Sequence, residues 1–401
     1  MFKSKILAML CSILGLPIAG LPGMAGDAPD LQPLARSCNA FGFKLLGETR
    51  KSLPDANIFQ SPAGLAFALS MLQNGARGET RNQIAQILQE ENISTEAWNA
   101  AIQSLLGRLA ALDPKIKLEI ANGIWTARGA DIKPGFLSGA EKFHGAQAAS
   151  ADFQDPATVK SINDWVSKNT HGKISDFVAP PLERDLRLIL LDAIYFKGAW
   201  EVPFDKKLTE EKPFTLAGGQ AVSQPGMSRS AKLGHLQTDA FQAVELPYAG
   251  REVSLFVFLP TADLGQFLGS LTPENWGQWM AQFRPRQGKL QLPRFKLENE
   301  YDLKNELKSL GMMRAFTRQA EFGGISDEEL SVSWVRQKTF VELNEEGTEA
   351  AAVTGVGMRA SAVLRGLEPP FSMIVDRPFY LAIRENQTGL ILFQGAILDP
   401  R

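Results

Sequence analysis

The stretch LRLILLDAIYFKGAW, residues 186–200, is dominated by leucine, isoleucine and aromatic side chains. A strand with one face in water alternates apolar and polar residues, and this run shows no such alternation. It is also too long and too aromatic for an edge strand. The stretch therefore predicts a central strand of a large sheet, buried on both faces.

Helices are predicted on the N-terminal side of this strand. Residues 61–88 and 100–112 place apolar side chains three and four positions apart, as amphipathic helices do, and glycines interrupt the first of these segments. Residues 118–127 have the composition of a strand. Residues 161–178 predict a capped helix that ends at a histidine-glycine pair.

Strands dominate the C-terminal side. Residues 243–260 predict a hairpin that turns at Gly250, and residues 371–400 predict a second hairpin. Residues 289–312 predict one strand followed by a helix that Gly311 closes. Helices first and antiparallel strands later indicate an α+β fold, and no repeat or linker divides the chain.

The composition limits the classes of partner. The chain has 401 residues, of which 44% are hydrophobic and 21% charged, and its formal net charge is -2. This is typical of a soluble globular protein with a large core. The near-neutral charge gives no reason to expect nucleic acid or an anionic membrane surface as a partner.

The N-terminus has the order of a cleavable signal peptide. Two lysines precede an apolar run that begins at Ile6, and small residues follow up to Ala25. Two prolines break the run and no stop-transfer pattern follows, which disfavours a membrane anchor. We therefore predict a signal peptide over residues 1–25 and export of a single domain over residues 26–401. That domain keeps one cysteine, Cys38, which predicts a small buried side chain and no internal disulfide.

The usual signatures of catalysis are missing. The sequence has three histidines, His144, His171 and His235, and neither a GxSxG elbow nor an HExxH zinc motif, so we predict no enzyme and no metal. One competing motif is GVGMRA, residues 355–360. It matches the GxGxxA of dinucleotide-binding proteins, and Asp376 follows about 20 residues later. Too few residues follow Asp376 to complete a doubly wound sheet.

Residues 344–358, NEEGTEAAAVTGVGM, have an unusual composition. From Ala350 to Met358 the segment contains no charge, no aromatic ring and no proline. It is too poor in large side chains for a core strand and too apolar for an ordinary exposed loop. A different structural role is needed to explain it.

From about Cys38 to Pro400 the chain resembles the serpin family. The helix motif INDWVSKNTHGKI and the strand that ends in KGAW, with Trp200, are two of several separated motifs that occur in the family's order. The others are NIFQSPAGLAFALSMLQNGARGET, ELPYAG, LPRFKLE, LNEEGTEAAAVTG, DRPFYLAI and ILFQGAILDP. No single motif is enough to establish the resemblance. It rests on the presence of all these motifs in the family's order.

The resemblance implies a serpin fold, which is one domain with three β-sheets, a group of helices and an exposed reactive-centre loop, here at about residues 345–370. It also implies inhibition. A serine protease, or a cysteine protease, cleaves the loop and is held as a covalent acyl-enzyme because the cut loop inserts as a new strand into the large sheet. The expected molecule is a metastable, secreted or periplasmic monomer without a cofactor.

The composition of residues 344–358 suits a segment that is a loop before cleavage and a strand afterwards. Strand side chains alternate between two faces. One face would carry only uncharged residues, which are Thr348, Ala350, Ala352, Thr354, Val356 and Met358. The two charges, at Glu349 and Arg359, fall on the other face. The positions that match the family's hinge are Glu345, Gly347, Thr348, Glu349, Ala350, Ala351 and Ala352.

The scissile bond is less sharply defined by the resemblance. The family's usual hinge length leads to the bond between Ser361 and Ala362, and a small residue there suggests an elastase-like or subtilisin-like protease. The loop is several residues longer than in common family members. Arg359 and Arg365 therefore stay open as sites for a trypsin-like protease.

Four positions match residues that control opening of the large sheet in the family: Ser61, Asp192, Trp200 and Gln337. Many family members have Asn where Asp192 stands and His where Gln337 stands. A serine that is frequent in the family is Gly64 here. Because a carboxylate accepts a hydrogen bond from an amide, we hypothesise that Asp192 and Gln337 were replaced as a unit.

Two alternatives to inhibition stay open. A non-inhibitory serpin that acts as a chaperone or binding protein would be cleaved without trapping the protease. A dinucleotide-dependent oxidoreductase would bind NAD.

Overall fold

A computed structural model describes residues 29–89, 93–348 and 369–401 of the chain. Within these ranges the helices are α1 (Gln32–Ser52), α2 (Pro62–Gly75), α3 (Gly78–Leu88), α4 (Thr95–Ala110), α5 (Pro134–His144), α6 (Pro156–Asn169), α7 (Leu264–Gly269), α8 (Pro273–Gln282) and α9 (Lys304–Ser309). The strands are β1 (Ile58–Gln60), β2 (Ile116–Ala127), β3 (Gln147–Ala151), β4 (Leu188–Ala199), β5 (Glu210–Thr215), β6 (Ala221–Gln237), β7 (Phe241–Pro247), β8 (Val253–Pro260), β9 (Arg284–Pro293), β10 (Phe295–Asp302), β11 (Val332–Asn344), β12 (Gly347–Thr348), β13 (Phe371–Ile374), β14 (Phe379–Glu385) and β15 (Ile391–Ile397).

These strands form two hydrogen-bonded sheets. The six-stranded sheet has the order β10-β11-β12-β4-β2-β3, and β12 separates β11 from β4 at one end only. The nine-stranded sheet has the order β1-β15-β14-β8-β7-β6-β9-β13, with β5 paired to β6. Strand β6 joins two parts of it, because β5 and β9 pair with most of its length and β7 pairs with its last four residues. The resemblance implies three sheets. One of them is the six-stranded sheet, and the other two are joined through β6 into the nine-stranded sheet.

The predicted central strand is confirmed as β4, which has antiparallel β2 on one side and parallel β11 on the other. All of its residues except Lys197 are buried. Leu190 and Ile194 pack into the main core beside α2, whereas Ile189 and Leu191 pack into a second core beneath α6. A core on each face explains why the run lacks alternation.

The interruption predicted within residues 61–88 is also confirmed. Helix α2 ends at Gly75, and α3 begins at Gly78, whose φ of +49° lies in the left-handed region that favours glycine. Ser61 caps α2, since its Oγ accepts a hydrogen bond from the Gly64 N–H at 3.0 Å. Helix α2 is buried along almost its whole length and lies directly against β4.

The single strand predicted at the start of residues 289–312 is wrong, because the chain forms two strands there, β9 and β10, in different sheets. Pro293 has no N–H to continue the first ladder, and Arg294 donates its N–H to the Pro225 carbonyl at 2.9 Å. The predicted helix follows as α9, and Gly311 beyond it has a φ of +116°.

One further prediction concerns burial, whereas the predicted signal peptide, residues 1–25, lies outside the described residues. Cys38 lies buried in α1, as the sequence predicted. None of the helices in the described ranges is both long and apolar enough to cross a membrane.

Candidate functional site

Strands β4 and β11 run side by side and then diverge. They pair in parallel from Leu188 with Val332 to Tyr195 with Phe340. Beyond that point β12 lies between them, antiparallel to both, with Thr348 opposite Gly198 on β4. The beginning of the predicted hinge therefore already occupies the space between two strands of the large sheet.

Backbone hydrogen bonds attach the chain before β12 to the chain after β4. The Trp200 and Phe204 N–H groups donate to the carbonyls of Glu346 (2.9 Å) and Glu345 (2.8 Å). The Trp200 indole N–H donates to the Asn344 carbonyl at 2.9 Å. We call this region, Trp200, Phe204, Tyr248 and residues 344–348, the hinge contact.

Thr348 fixes which face of the hinge points inward. Its side chain is fully buried, and its Oγ1 lies 2.6 Å from the Tyr248 hydroxyl oxygen. Tyr248 in turn stacks on Trp200, with ring centroids 4.6 Å apart. Burial raises the pKa of Tyr248 well above its usual value, so the hydroxyl stays neutral. The inward face of the hinge thus meets a neutral aromatic surface.

The space around Gly347 is too small for any side chain. Its φ is +154°, and a Cβ built on it would lie 2.0 Å from the Gly198 carbonyl oxygen. Backbone atoms cannot move aside as side chains do, so any larger residue forces β12 away from β4. At this predicted hinge position the chain therefore makes a close backbone contact with β4.

Both hinge glutamates have partners. Glu345 is buried, and its carboxylate accepts a hydrogen bond from the Thr209 hydroxyl at 2.8 Å and lies 3.8 Å from the Arg294 guanidinium. Glu346 pairs with Lys206 at 2.5 Å, and this hydrogen bond raises the pKa of Lys206. A cleft of about 480 Å³ opens between these side chains.

A second contact between β4 and β11 lies within their paired region. Gln337 donates through Nε2 to Asp192 Oδ2 at 2.6 Å and to the Ser61 carbonyl at 2.8 Å, and its Oε1 accepts from the Ser61 N–H at 2.9 Å. The hydrogen bond expected between Gln337 and Asp192 is therefore present. We call Ser61, Asp192 and Gln337 the amide–carboxyl junction.

The absence of a side chain at Gly64 leaves space for the Asp192 carboxyl. A Cβ on Gly64 would lie 2.6 Å from Asp192 Oδ1, which has no hydrogen-bond partner among the described residues. Asp192 is fully buried, and burial raises its pKa to about 7, although the Gln337 hydrogen bond opposes that shift. Such an environment favours the neutral acid.

The structure groups the predicted residues in two places. Trp200, Glu345, Gly347 and Thr348 meet at the hinge contact, and the other three sheet-opening residues meet at the amide–carboxyl junction. The remaining predicted positions lie outside the described residues: Glu349, Ala350, Ala351, Ala352, Arg359, Ser361, Ala362 and Arg365. Sequence reasoning missed the roles of Tyr248 and Arg294, although each belongs to one of the motifs ELPYAG and LPRFKLE.

Nothing in the described residues assembles a catalytic group around the histidines. His144 closes α5, where it lies 3.1 Å from the Asn74 amide and burial lowers its pKa to about 4. His171 pairs with exposed Glu119 at 3.2 Å, and His235 in β6 stacks on Phe371 of β13. In the same ranges no cluster of three or more His, Cys, Asp or Glu side chains could hold a metal ion.

Comparison with known proteins gives one consistent result. The family model described as "Serpin (serine protease inhibitor)" matches residues 36–400. Iripin-2 of Ixodes ricinus is 34% identical over 99% of this chain and 98% of its own length, and Serpin B8 of Bos taurus is 38% identical over 89% and 96%. Among solved structures, human thyroxine-binding globulin complexed with thyroxine has a TM-score of 0.85 at 25% identity, covering 92% of this chain and 99% of that one.

Proposed function

This chain belongs to the serpin family, and from that premise we propose that it inhibits a serine protease as a suicide substrate. The protease serine attacks the carbonyl carbon of the scissile residue, the peptide bond breaks, and an ester joins the enzyme to the new C-terminus of the loop. The loop then inserts between β4 and β11 before water can hydrolyse that ester.

The position of β12 is the observation that carries this proposal. Thr348 pairs with Gly198 on β4 and Leu343 on β11, antiparallel to both. Because the pairing is antiparallel, each further residue of an inserting loop would lie opposite the preceding residue of β4 and of β11. Six residues beyond Thr348, Thr354 would therefore lie opposite Asp192 and Gln337, which are each other's partners in the closed sheet.

The side chains of the loop support insertion along this path. Because Thr348 points into the core, the residues of its face would also point inward. Those residues, from Ala350 to Met358, carry no charge. Glu349 and Arg359 would point to the opposite face, at the level of half-buried Lys197 and exposed Arg187 at the two ends of β4, so that insertion would not bury an unpaired charge at a cost of several kcal/mol.

The target and the cleavage site are part of the proposal. We assign the scissile bond to Ser361 and Ala362, with an elastase-like or subtilisin-like target, and Arg359 or Arg365 would instead suit a trypsin-like protease. A covalent one-to-one complex with a monomeric inhibitor follows from the mechanism. Residues 1–25 would direct this inhibitor out of the cytoplasm, as a secreted or periplasmic protein.

A panel of serine and cysteine proteases tests the proposal. We expect a covalent band stable in denaturant with at least one protease, and mass spectrometry of the released peptide identifies the scissile bond. Because Thr348 is already buried in the intact protein, Thr348→Arg should expel β12 from the sheet. Insertion would then have to bury the guanidinium, so that deacylation is faster than insertion and the inhibitor becomes a substrate. Thr348→Ser, which keeps the hydroxyl, is the matched control. An unchanged ratio of cleaved inhibitor to complex in Thr348→Arg would refute this mechanism.

The likeness to thyroxine-binding globulin supports a second candidate, a serpin that binds a ligand or acts as a chaperone. Such a protein would be cleaved in the loop by proteases of the panel and would form no covalent band.

A further inference from the structure

Asp192 is a buried carboxyl group at the middle of the large sheet. It is fully buried in β4, and only one of its two oxygens has a hydrogen-bond donor, the Gln337 amide. That donor is neutral. A buried carboxylate is ordinarily stabilised by a cation or by several N–H groups, and Asp192 has neither within the described residues.

The neighbouring hydrogen bonds lack one donor. Asn122 is the cross-strand partner of Asp192 on β2, and its Nδ2 donates to the Gly64 carbonyl at 3.2 Å. Among the residues that the structure describes, its Oδ1 has no donor, and neither does Asp192 Oδ1. Two acceptors therefore lie on adjacent strands without a hydrogen between them. A proton on the Asp192 carboxyl would supply the missing donor.

The elements packed around Asp192 provide no compensating charge. The groups that face it are Gln337 on β11, Asn122 on β2 and the backbone of Ser61 and Gly64 at the start of α2, none of which titrates. Tyr301 of β10, the cross-strand partner of Gln337, is a titratable side chain on the same face. Burial raises the pKa of Tyr301 far above neutrality, so it stays uncharged.

We propose that Asp192 is a proton switch for the six-stranded sheet: the protonated carboxyl holds β4 to β11, and loss of the proton loosens that contact. The consequence for inhibition rests on the proposed function, because loop insertion has to separate Asp192 from Gln337. The switch itself is a property of the closed sheet and is measurable without any protease.

The direction of the effect follows from linkage. Burial raises the pKa of Asp192 to about 7 in the closed sheet, whereas a solvated carboxyl returns towards the ordinary value of 3.8. Opening therefore releases a proton between about pH 4 and pH 7. The contribution of Asp192 to the closed state is fully present below the lower pKa and is lost as the pH rises through the higher one. Within this window the equilibrium constant for opening rises by up to about tenfold per pH unit, and above the window it stays constant.

The test compares the wild-type protein with Asp192→Asn, which keeps an acceptor for Gln337 and brings a permanent donor for Asn122. Hydrogen exchange of the β4 and β11 amides, corrected for intrinsic rates, is followed from pH 5 to pH 8. Asp131→Asn, at an exposed aspartate, is the matched control. Infrared difference spectroscopy of the wild-type protein measures the carboxylic acid band over the same range and does not depend on the folding of any variant.

We expect the protonated carboxyl band to be present at pH 5 and to disappear as the pH passes 7 to 8. Over the same range, exchange in β4 and β11 should accelerate at least tenfold in the wild-type protein and in Asp131→Asn, and stay flat in Asp192→Asn. A missing acid band at pH 5, or equal pH dependence in Asp192→Asn and wild type, would overturn the switch. If the switch is present but no protease is trapped, the proposed function fails and the switch stands.

Discussion

The hinge contact and the amide–carboxyl junction both join β4 to β11, yet their ionisable groups have different partners. At the hinge contact Glu346 pairs with Lys206, whose side chain is 67% exposed, and Glu345 has Thr209 and Arg294 as partners. At the junction the one ionisable group is buried and meets only amide and backbone groups.

This difference indicates different costs of opening. In the Glu346–Lys206 pair the lysine side chain is exposed, so that water can replace its partner and separation of the pair costs little free energy. A buried neutral network is lost as a whole, since each unpaired member stays desolvated. The ion pair of the hinge contact therefore resists opening less than the junction does, and the resistance of the hinge comes from the packing of Gly347 and Thr348. Three substitutions test this contrast, beginning with the largest expected effect.

Gln337→Ala should lower the free energy of unfolding by about 3 kcal/mol, because it removes three hydrogen bonds of a buried side chain and leaves Asp192 and Ser61 unpaired. Denaturant unfolding measures the loss, and exposed Gln287→Ala is the control. A double-mutant cycle with Asp192→Ala should give a coupling of about 1–2 kcal/mol. Additive effects would contradict the hypothesis that the two residues were replaced as a unit.

Gly347→Ala should cost about 2 kcal/mol, because the new Cβ meets the Gly198 carbonyl and the positive φ disfavours alanine. The relevant measurements are the thermal unfolding midpoint and the ratio of cleaved inhibitor to covalent complex. Gly218→Ala, at a glycine with open space around it, should change neither. If both variants behave like the wild-type protein, the close backbone contact at the hinge is not a constraint.

Tyr248→Phe should have the smallest effect, about 1 kcal/mol, because it removes one hydrogen bond and leaves the buried Thr348 hydroxyl unpaired. Thr348→Val alone should cost a similar amount. The double variant should be no worse than either single one, since both partners of the bond are then apolar. A double variant that loses the sum of the two would show that the hydroxyl pair does not contribute as a unit.

Much of the fold could be predicted from local sequence patterns. The apolar run at residues 186–200 is a central strand because it has a core on each face, and the glycines near residue 75 end one helix and begin another. The error at Pro293-Arg294 arose because both flanking segments have strand composition. Which sheet a strand joins depends on distant partners, and no local pattern records that choice.

The candidate site was predicted only in part. Its residue types came from the family resemblance, and the Gln337–Asp192 hydrogen bond followed from the chemistry of an amide and a carboxylate. The contact of Tyr248 with Thr348 could not be foreseen, because the two residues are 100 positions apart and meet through the packing of two sheets. The sequence also gave no sign that Asp192 Oδ1 would lack a donor.

The sequence by itself determined the family, the succession of helices before antiparallel strands, and the uncharged face of residues 348–358. These are properties of neighbouring residues and of ordered motifs, which are readable along the chain. Only the tertiary structure decided that the hinge begins already paired between β4 and β11, and that Asp192 lies beyond the reach of any cation among the described residues. Both depend on segments distant in sequence that pack together, and burial acts on a charge only once that packing exists.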